Sequence, residues 1–326
     1  MKLKLRQLLF FLCLNITWVQ AQELATKTVL LMGSRFDLTV VAEDQAACQY
    51  YLGVAEQEIT RIENLISDWR SGTEVDQINQ LAGIKPVKVS LETFQLIERS
   101  KYLSQITEGA FDISYAALDR IWKFDGTVNQ LPSPEVIKAS VSKIGYKNII
   151  TQAKDTTVFL ALKGMKIGFG SNGKGYAADK TRTLLQSMGV TAGIINASGD
   201  LTTWGKKPDG TDWTVGITNP LNKDQIFSWL PVVNSAIATS GNYEKYIDIE
   251  GKRYSHIIDP RTGYPVQGVV SVSVLAPSAE LCDALATSVF VLGVEAGLDL
   301  INQLKGVSCM IVDDQKKVHT SNQLKL

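Results

Sequence analysis

The sequence predicts an α+β fold in which mixed, mainly antiparallel sheets are flanked by helices, as one large domain or two intimately joined lobes with a cleft between them. Three observations carry this. Stretches with apolar residues at helical spacing, at 44–66, 91–107 and 279–293, stand apart from runs of short apolar strands at 28–41, 191–201, 213–217, 235–241 and 268–276. The regular strand–helix alternation of a doubly wound sheet is missing from the N-terminal part. No repeat, low-complexity segment or flexible linker divides the chain.

Residues 1–21 open with Lys2, Lys4 and Arg6, continue through an apolar run to Val19 and end in Val19-Gln20-Ala21. This pattern predicts a secretory signal peptide cleaved after Ala21, and hence an exported protein of the periplasm or cell envelope. The run is shorter than the roughly 20 residues a membrane span needs, and Asn15 interrupts it. Residues 22–326 are then expected to form a single functional domain. Without residues 1–21 the chain keeps 30 basic and 33 acidic side chains, so its charge does not favour nucleic acid. Cys48, Cys282 and Cys309 are an odd set for an oxidising compartment, which excludes a disulfide framework and leaves room for one bridge.

Residues 28–41 read as two strands around Gly33, followed by an amphipathic helix from Asp44 to Ile66. The polar loop after it carries Trp69, an aromatic suited to stacking on a ligand or to packing at a core edge. A helix over 91–107 stops at Gly109, and Asp112 beyond it is either functional or a cap. Gly126, Pro132 and Pro134 make 125–135 a surface loop. Residues 158–162 and 165–167 read as a hairpin, with a helix over 176–188 behind it. The strand in 191–201 ends in Asn196-Ala197-Ser198-Gly199-Asp200, where a ligand or another backbone can come close, and Asn196 and Asp200 are candidates there. In the helix over 279–293, Asp283 and Thr287 lie four apart on one face. A buried carboxylate needs a cation, a donor network or a helix-start role. With a hydroxyl and carbonyls beside it, Asp283 offers the hard oxygen ligands that magnesium accepts; capping by Asp283 and back-bonding by Thr287 is the alternative.

Two segments concentrate chemistry. Gly168-Phe169-Gly170-Ser171-Asn172-Gly173-Lys174-Gly175 contains both G-x-G-x-x-G and G-x-x-x-x-G-K, yet Gly175 stands where a P-loop needs a magnesium-binding hydroxyl. The physics of the pattern still suits an anion: glycines expose backbone N–H groups, and a helix N-terminus with Lys174 favours phosphate. Tyr254 to Val266 packs His256, Asp259, Arg261 and Thr262 into a turn framed by Pro260, Gly263 and Pro265. It reads as a hairpin turn or as a site, and His256 is one of two histidines, the other being His319. A serine hydrolase built on Ser255, His256 and Asp259 is the weakest reading, since residues so close cannot form a relay and no G-x-S-x-G is present.

The ordered set of motifs resembles the ApbE-like flavin transferases, which move FMN from FAD onto a hydroxyl of a target protein. The matching residues are Gly109-Ala110-Phe111-Asp112, Gly173 to Asp179, Asn196 to Asp200, Thr239 to Tyr243, Ser255 to Gly263, and Asp283 to Thr287. The resemblance implies an ApbE-like fold with the FAD cleft between its lobes. It implies that Asp283 and Thr287 give side-chain oxygens to Mg2+, completed by a backbone carbonyl near Ser171. Met32, Trp69, Ala110, Phe111, Asp112, Lys174 and Ile258 would line the FAD pocket, with His256 beside the reacting phosphate. His256, Asp283 and Thr287 are thus the implied catalytic set, with Asp259 a second candidate for taking a proton. The implied acceptor is a flavoprotein, either a redox-complex subunit or a secreted protein, with a Ser or Thr flavinylation site. Two departures stand out: Gly168 replaces an Asp that often opens the glycine loop, and Trp69 replaces a tyrosine. FAD pyrophosphatase activity and non-enzymatic FAD binding are the competing functions, and Asp283 with Thr287 argues against the second.

Overall fold

The computed structural model describes residues 22–118, 121–122, 124, 130–218, 226–243, 245–249 and 252–324. The signal-peptide expectation for 1–21 lies outside them, as does the 125–129 part of the expected loop. The chain begins with β1 (Glu23–Leu31), β2 (Ser34–Ala42), α1 (Gln45–Ile66), α2 (Glu74–Gln80), β3 (Val87–Lys88) and α3 (Leu91–Ile106). It continues through α4 (Pro134–Val141), β4 (Ile149–Gln152), β5 (Thr157–Leu160), α5 (Gly173–Ser187), β6 (Ala192–Ala197) and β7 (Asp200–Trp204). Then come β8 (Thr214–Thr218), β9 (Ile226–Pro231), β10 (Ala236–Gly241), β11 (Tyr246–Ile249), β12 (Lys252–Ser255) and β13 (Val269–Ala276). The last elements are α6 (Ala279–Leu292), α7 (Val294–Gln303), β14 (Ser308–Asp313) and β15 (Val318–Thr320).

Eight strands form the main sheet in the order β1-β2-β6-β7-β10-β13-β14-β15. The expected predominance of antiparallel pairing is complete among the described pairs. Because side chains alternate along a strand, every second residue faces one layer. Phe36, Leu38 and Val40, Ile195 and Ala197, Ala236 and Ala238, Val272 and Val274, and Cys309 and Ile311 belong to one core cluster with α1, α5 and α6. Residues of alternate parity, Ile237, Leu275 and Met310, pack with Leu230 and Val232 on the opposite face, where the paired strands β8 and β9 lie. α1, α3 and α6 start where short polar side chains accept backbone N–H groups: Asp44, Ser90 and Ser278.

Three expectations need correction. Residues 158–167 do not form a hairpin, since β5 pairs with β4 and β3 instead. The Asn79 side chain accepts from the Ile167 N–H at 2.8 Å and donates to its carbonyl at 2.9 Å, taking the groups a second strand would use. α5 starts at Gly173, three residues before the expected position, so Lys174 sits in its first turn. The single strand expected in 191–201 is two strands, β6 and β7, joined by Ser198 (φ 55°) and Gly199 (φ 100°) in a left-handed turn. Cys48, Cys282 and Cys309 are buried free thiols. No helix among the described residues is long and apolar enough to cross a membrane.

Candidate active site

Met32, Trp69, Ala110, Phe111, Asp112, Ser171, Lys174, His256, Ile258, Asp283 and Thr287 all line one cavity of about 720 Å³. They arrive from separate elements. Met32 holds the β1–β2 turn at φ 51° with Gly33 at φ 66°, the double left-handed geometry of a tight hairpin. Trp69, half exposed, comes from the loop after α1, and Ala110 to Asp112 follow α3. Ser171 comes from the turn before α5 and Lys174 from its first turn, His256 and Ile258 from the segment after β12, and Asp283 and Thr287 from α6.

The charges are concentrated on one side. Lys174 forms an ion pair with Asp200, whose carboxylate is buried at the start of β7. Asp283, also buried, accepts from the Gly175 N–H at 3.2 Å. The first-turn amide expected to serve phosphate is therefore engaged by a carboxylate. Burial, reinforced by the charge of Asp200, raises the Asp283 carboxyl to about 7, and Lys174 offsets only part of this. One turn further along α6, the Thr287 hydroxyl lies 3.5 Å from that of Ser240. Two buried carboxylates sharing one lysine, with a hydroxyl beside them, form an oxygen donor set that a hard divalent cation would relieve. No group of three His, Cys, Asp or Glu side chains suited to a metal exists among the described residues. That donor set fits magnesium, which uses one or two carboxylates and keeps water ligands, better than zinc.

His256 Nδ1 lies 3.1 Å from the Lys245 carbonyl, which can only accept, so Nδ1 carries the proton and Nε2 is the basic nitrogen. Burial lowers its pKa from 6.5, and the charges of Lys245 and Lys174 act in the same direction. The ring is therefore neutral at pH 7. Asp259 is not the alternative base: Arg261 grips both its oxygens at 2.9 Å. Backbone bonds from the Asp259 N–H to the Tyr264 carbonyl at 3.0 Å and from the Gly263 N–H to the Asp259 carbonyl at 2.8 Å close the turn, while His256 and Ile258 line the cavity. Asp112 lines the cavity but spends its oxygens on Ser114 and the Tyr146 N–H, a capping role. Asn196 likewise caps the β6–β7 turn by accepting from the Gly199 N–H at 2.8 Å. Ser255 bonds to the backbone of Ile257, which leaves no serine relay.

Ser198, Asp200 and Ser240 also line the cavity and lie inside motifs the sequence marks out. Tyr115 and Lys245 line it too, and no local pattern distinguishes them from core or surface residues.

The ApbE family model matches residues 32–311. An FAD:protein FMN transferase of Klebsiella pneumoniae is 31% identical over 301 residues, covering 92% of this chain and 92% of that protein. One of Treponema pallidum is 30% identical over 295 residues, covering 86% and 80%. Among solved structures, the ApbE protein of Thermotoga maritima superposes with a TM-score of 0.84 at 29% identity, over 92% of this chain and 97% of that one. The Pseudomonas stutzeri flavinyl transferase ApbE gives 0.82 at 26% identity, over 92% and 95%. With the family model spanning most of its length, the chain belongs to the ApbE family.

Proposed function

We propose that this ApbE-family transferase moves FMN from FAD onto a Ser or Thr hydroxyl of an exported flavoprotein and releases AMP, with Mg2+ held by Asp283, Thr287 and the Ser171 carbonyl. The observation that carries this is the convergence of Lys174, His256, Asp283 and Thr287 on one cavity from three separate segments. A bound magnesium ion would neutralise the pyrophosphate and polarise the phosphorus on the flavin side. Lys174, swinging from Asp200 to the pyrophosphate, adds positive charge there. His256 Nε2 takes the proton of the acceptor hydroxyl as its oxygen bonds to that phosphorus, and the bridging P–O bond breaks with AMP as leaving group. Trp69 at the rim and Met32 and Phe111 within supply apolar surface for the isoalloxazine or adenine ring. The pattern of residues 1–21 supports action in the periplasm or cell envelope.

Mass spectrometry of a candidate acceptor, incubated with this protein, FAD and magnesium, tests the reading. The expected outcome is a mass gain of one FMN less water on a Ser or Thr, abolished by EDTA. Free FMN and AMP without modification would favour a pyrophosphatase, and intact bound FAD would favour a storage role.

A further inference from the structure

The glycine loop that delivers Ser171 to the cavity is shaped from outside. Gly168 and Gly170 both have φ outside the left-handed region, so their backbone does not require glycine. What excludes a side chain is the neighbours. A Cβ on residue 168 would lie 2.8 Å from Asp68 Oδ2 and 3.2 Å from the Ala116 Cβ. One on residue 170 would clash with the Tyr115 hydroxyl. The Asp68 carboxylate thus occupies the side-chain space that residue 168 leaves empty. The same loop is held at Ile167 by Asn79, and the Gly168 N–H donates to the Ile113 carbonyl at 2.9 Å. Beyond those anchors Phe169, Gly170 and Ser171 face the cavity. The charge of Asp68 is felt across the loop at Tyr115, which itself lines the cavity.

We propose that Asp68 is a positioning residue for the metal site: its carboxylate, pressed against Gly168, sets the path of the loop that presents the Ser171 carbonyl. The inference rests on the magnesium reading given above. A carboxylate on residue 168 would enter the niche that Asp68 already fills, so the two would collide.

Mn2+ titration of the metal-free protein, followed by electron paramagnetic resonance, tests this without turnover. D68A and G168D are each expected to weaken Mn2+ binding about 10–100-fold, the usual effect of removing a group that orients a metal ligand. The double variant D68A/G168D is expected to recover to within a few-fold of the parent, a coupling that independent sites do not show. D68N keeps the shape of the side chain and loses its charge; it is expected to fold, by circular dichroism, and still to bind Mn2+ more weakly. Parent-like affinity in D68A or D68N, or a double variant as weak as either single, would overturn the proposal. A parent protein that binds no Mn2+ would instead sink the metal site itself, and Asp68's role with it.

Discussion

Asp283 is the residue whose environment most clearly opposes stability in favour of a ligand. Its carboxyl stands at 3.8 in an unfolded chain and near 7 in the folded one. A raised acid stabilises the fold while protonated, fully below about pH 4, and that contribution is lost as pH rises through 7. In metal-free protein, D283N should therefore raise the melting temperature at pH 8 more than at pH 5, while abolishing Mg2+-dependent transfer. Equal shifts at both pH values would mean that the carboxylate is already compensated. His256 carries the opposite sign. Its depressed pKa keeps it a base down to below pH 6.5, so kcat/KM should fall only on the acid side of that value. H256Q should cost about 10²–10⁴ in rate and flatten that limb, whereas an unchanged pH profile would move the proton to another group.

At the scale of elements, the site depends on how closely α5 and α6 cross. A Cβ on Gly175 would run into the Ala279 carbonyl, backbone that cannot step aside. Alanine is the better helix former by about 1 kcal/mol, so on propensity alone G175A would stabilise α5. The collision reverses the sign: we expect a loss of about 1–3 kcal/mol in urea unfolding, from forced separation of packed helices. Transfer activity should fall with it, because the Gly175 N–H that Asp283 accepts moves away. A stabilised, active G175A would show that the helices have slack. These contacts also mark the limit of what the sequence shows. Apolar patterning located α1, α3 and α6 within a residue or two, because each is long and opened by Asp or Ser, α1 and α3 burying one face and α6 nearly all of its surface. It failed at 165–167, where an Asn79 side chain from another element displaces a strand partner, and at the start of α5, which looked like loop because its first turn is glycine-rich.

For the whole molecule, the cavity was legible through the family resemblance, whose motifs include Ser255 to Gly263 and Asp283 to Thr287; Met32 was expected from that resemblance alone. Tyr115 and Lys245 were not, since only the assembled fold brings their segments to the same space. That dependence makes ligand binding a test of how the parts cohere. The cavity draws on the β1–β2 turn, the α1–α2 loop, α5, β10, the 256–260 segment and α6, and most of the buried side chains behind them belong to one cluster. A ligand bound by such a site stabilises whatever unfolds with it, by about 2.7 kcal/mol at 100 times its dissociation constant. Calorimetry with FAD and magnesium at that excess should therefore move a single unfolding transition upward as a whole, and D283A should remove the magnesium-dependent part. If two transitions appear and only one moves, the joined lobes unfold separately. The cavity would then be an interface that ligand binding closes, not one the core holds in advance.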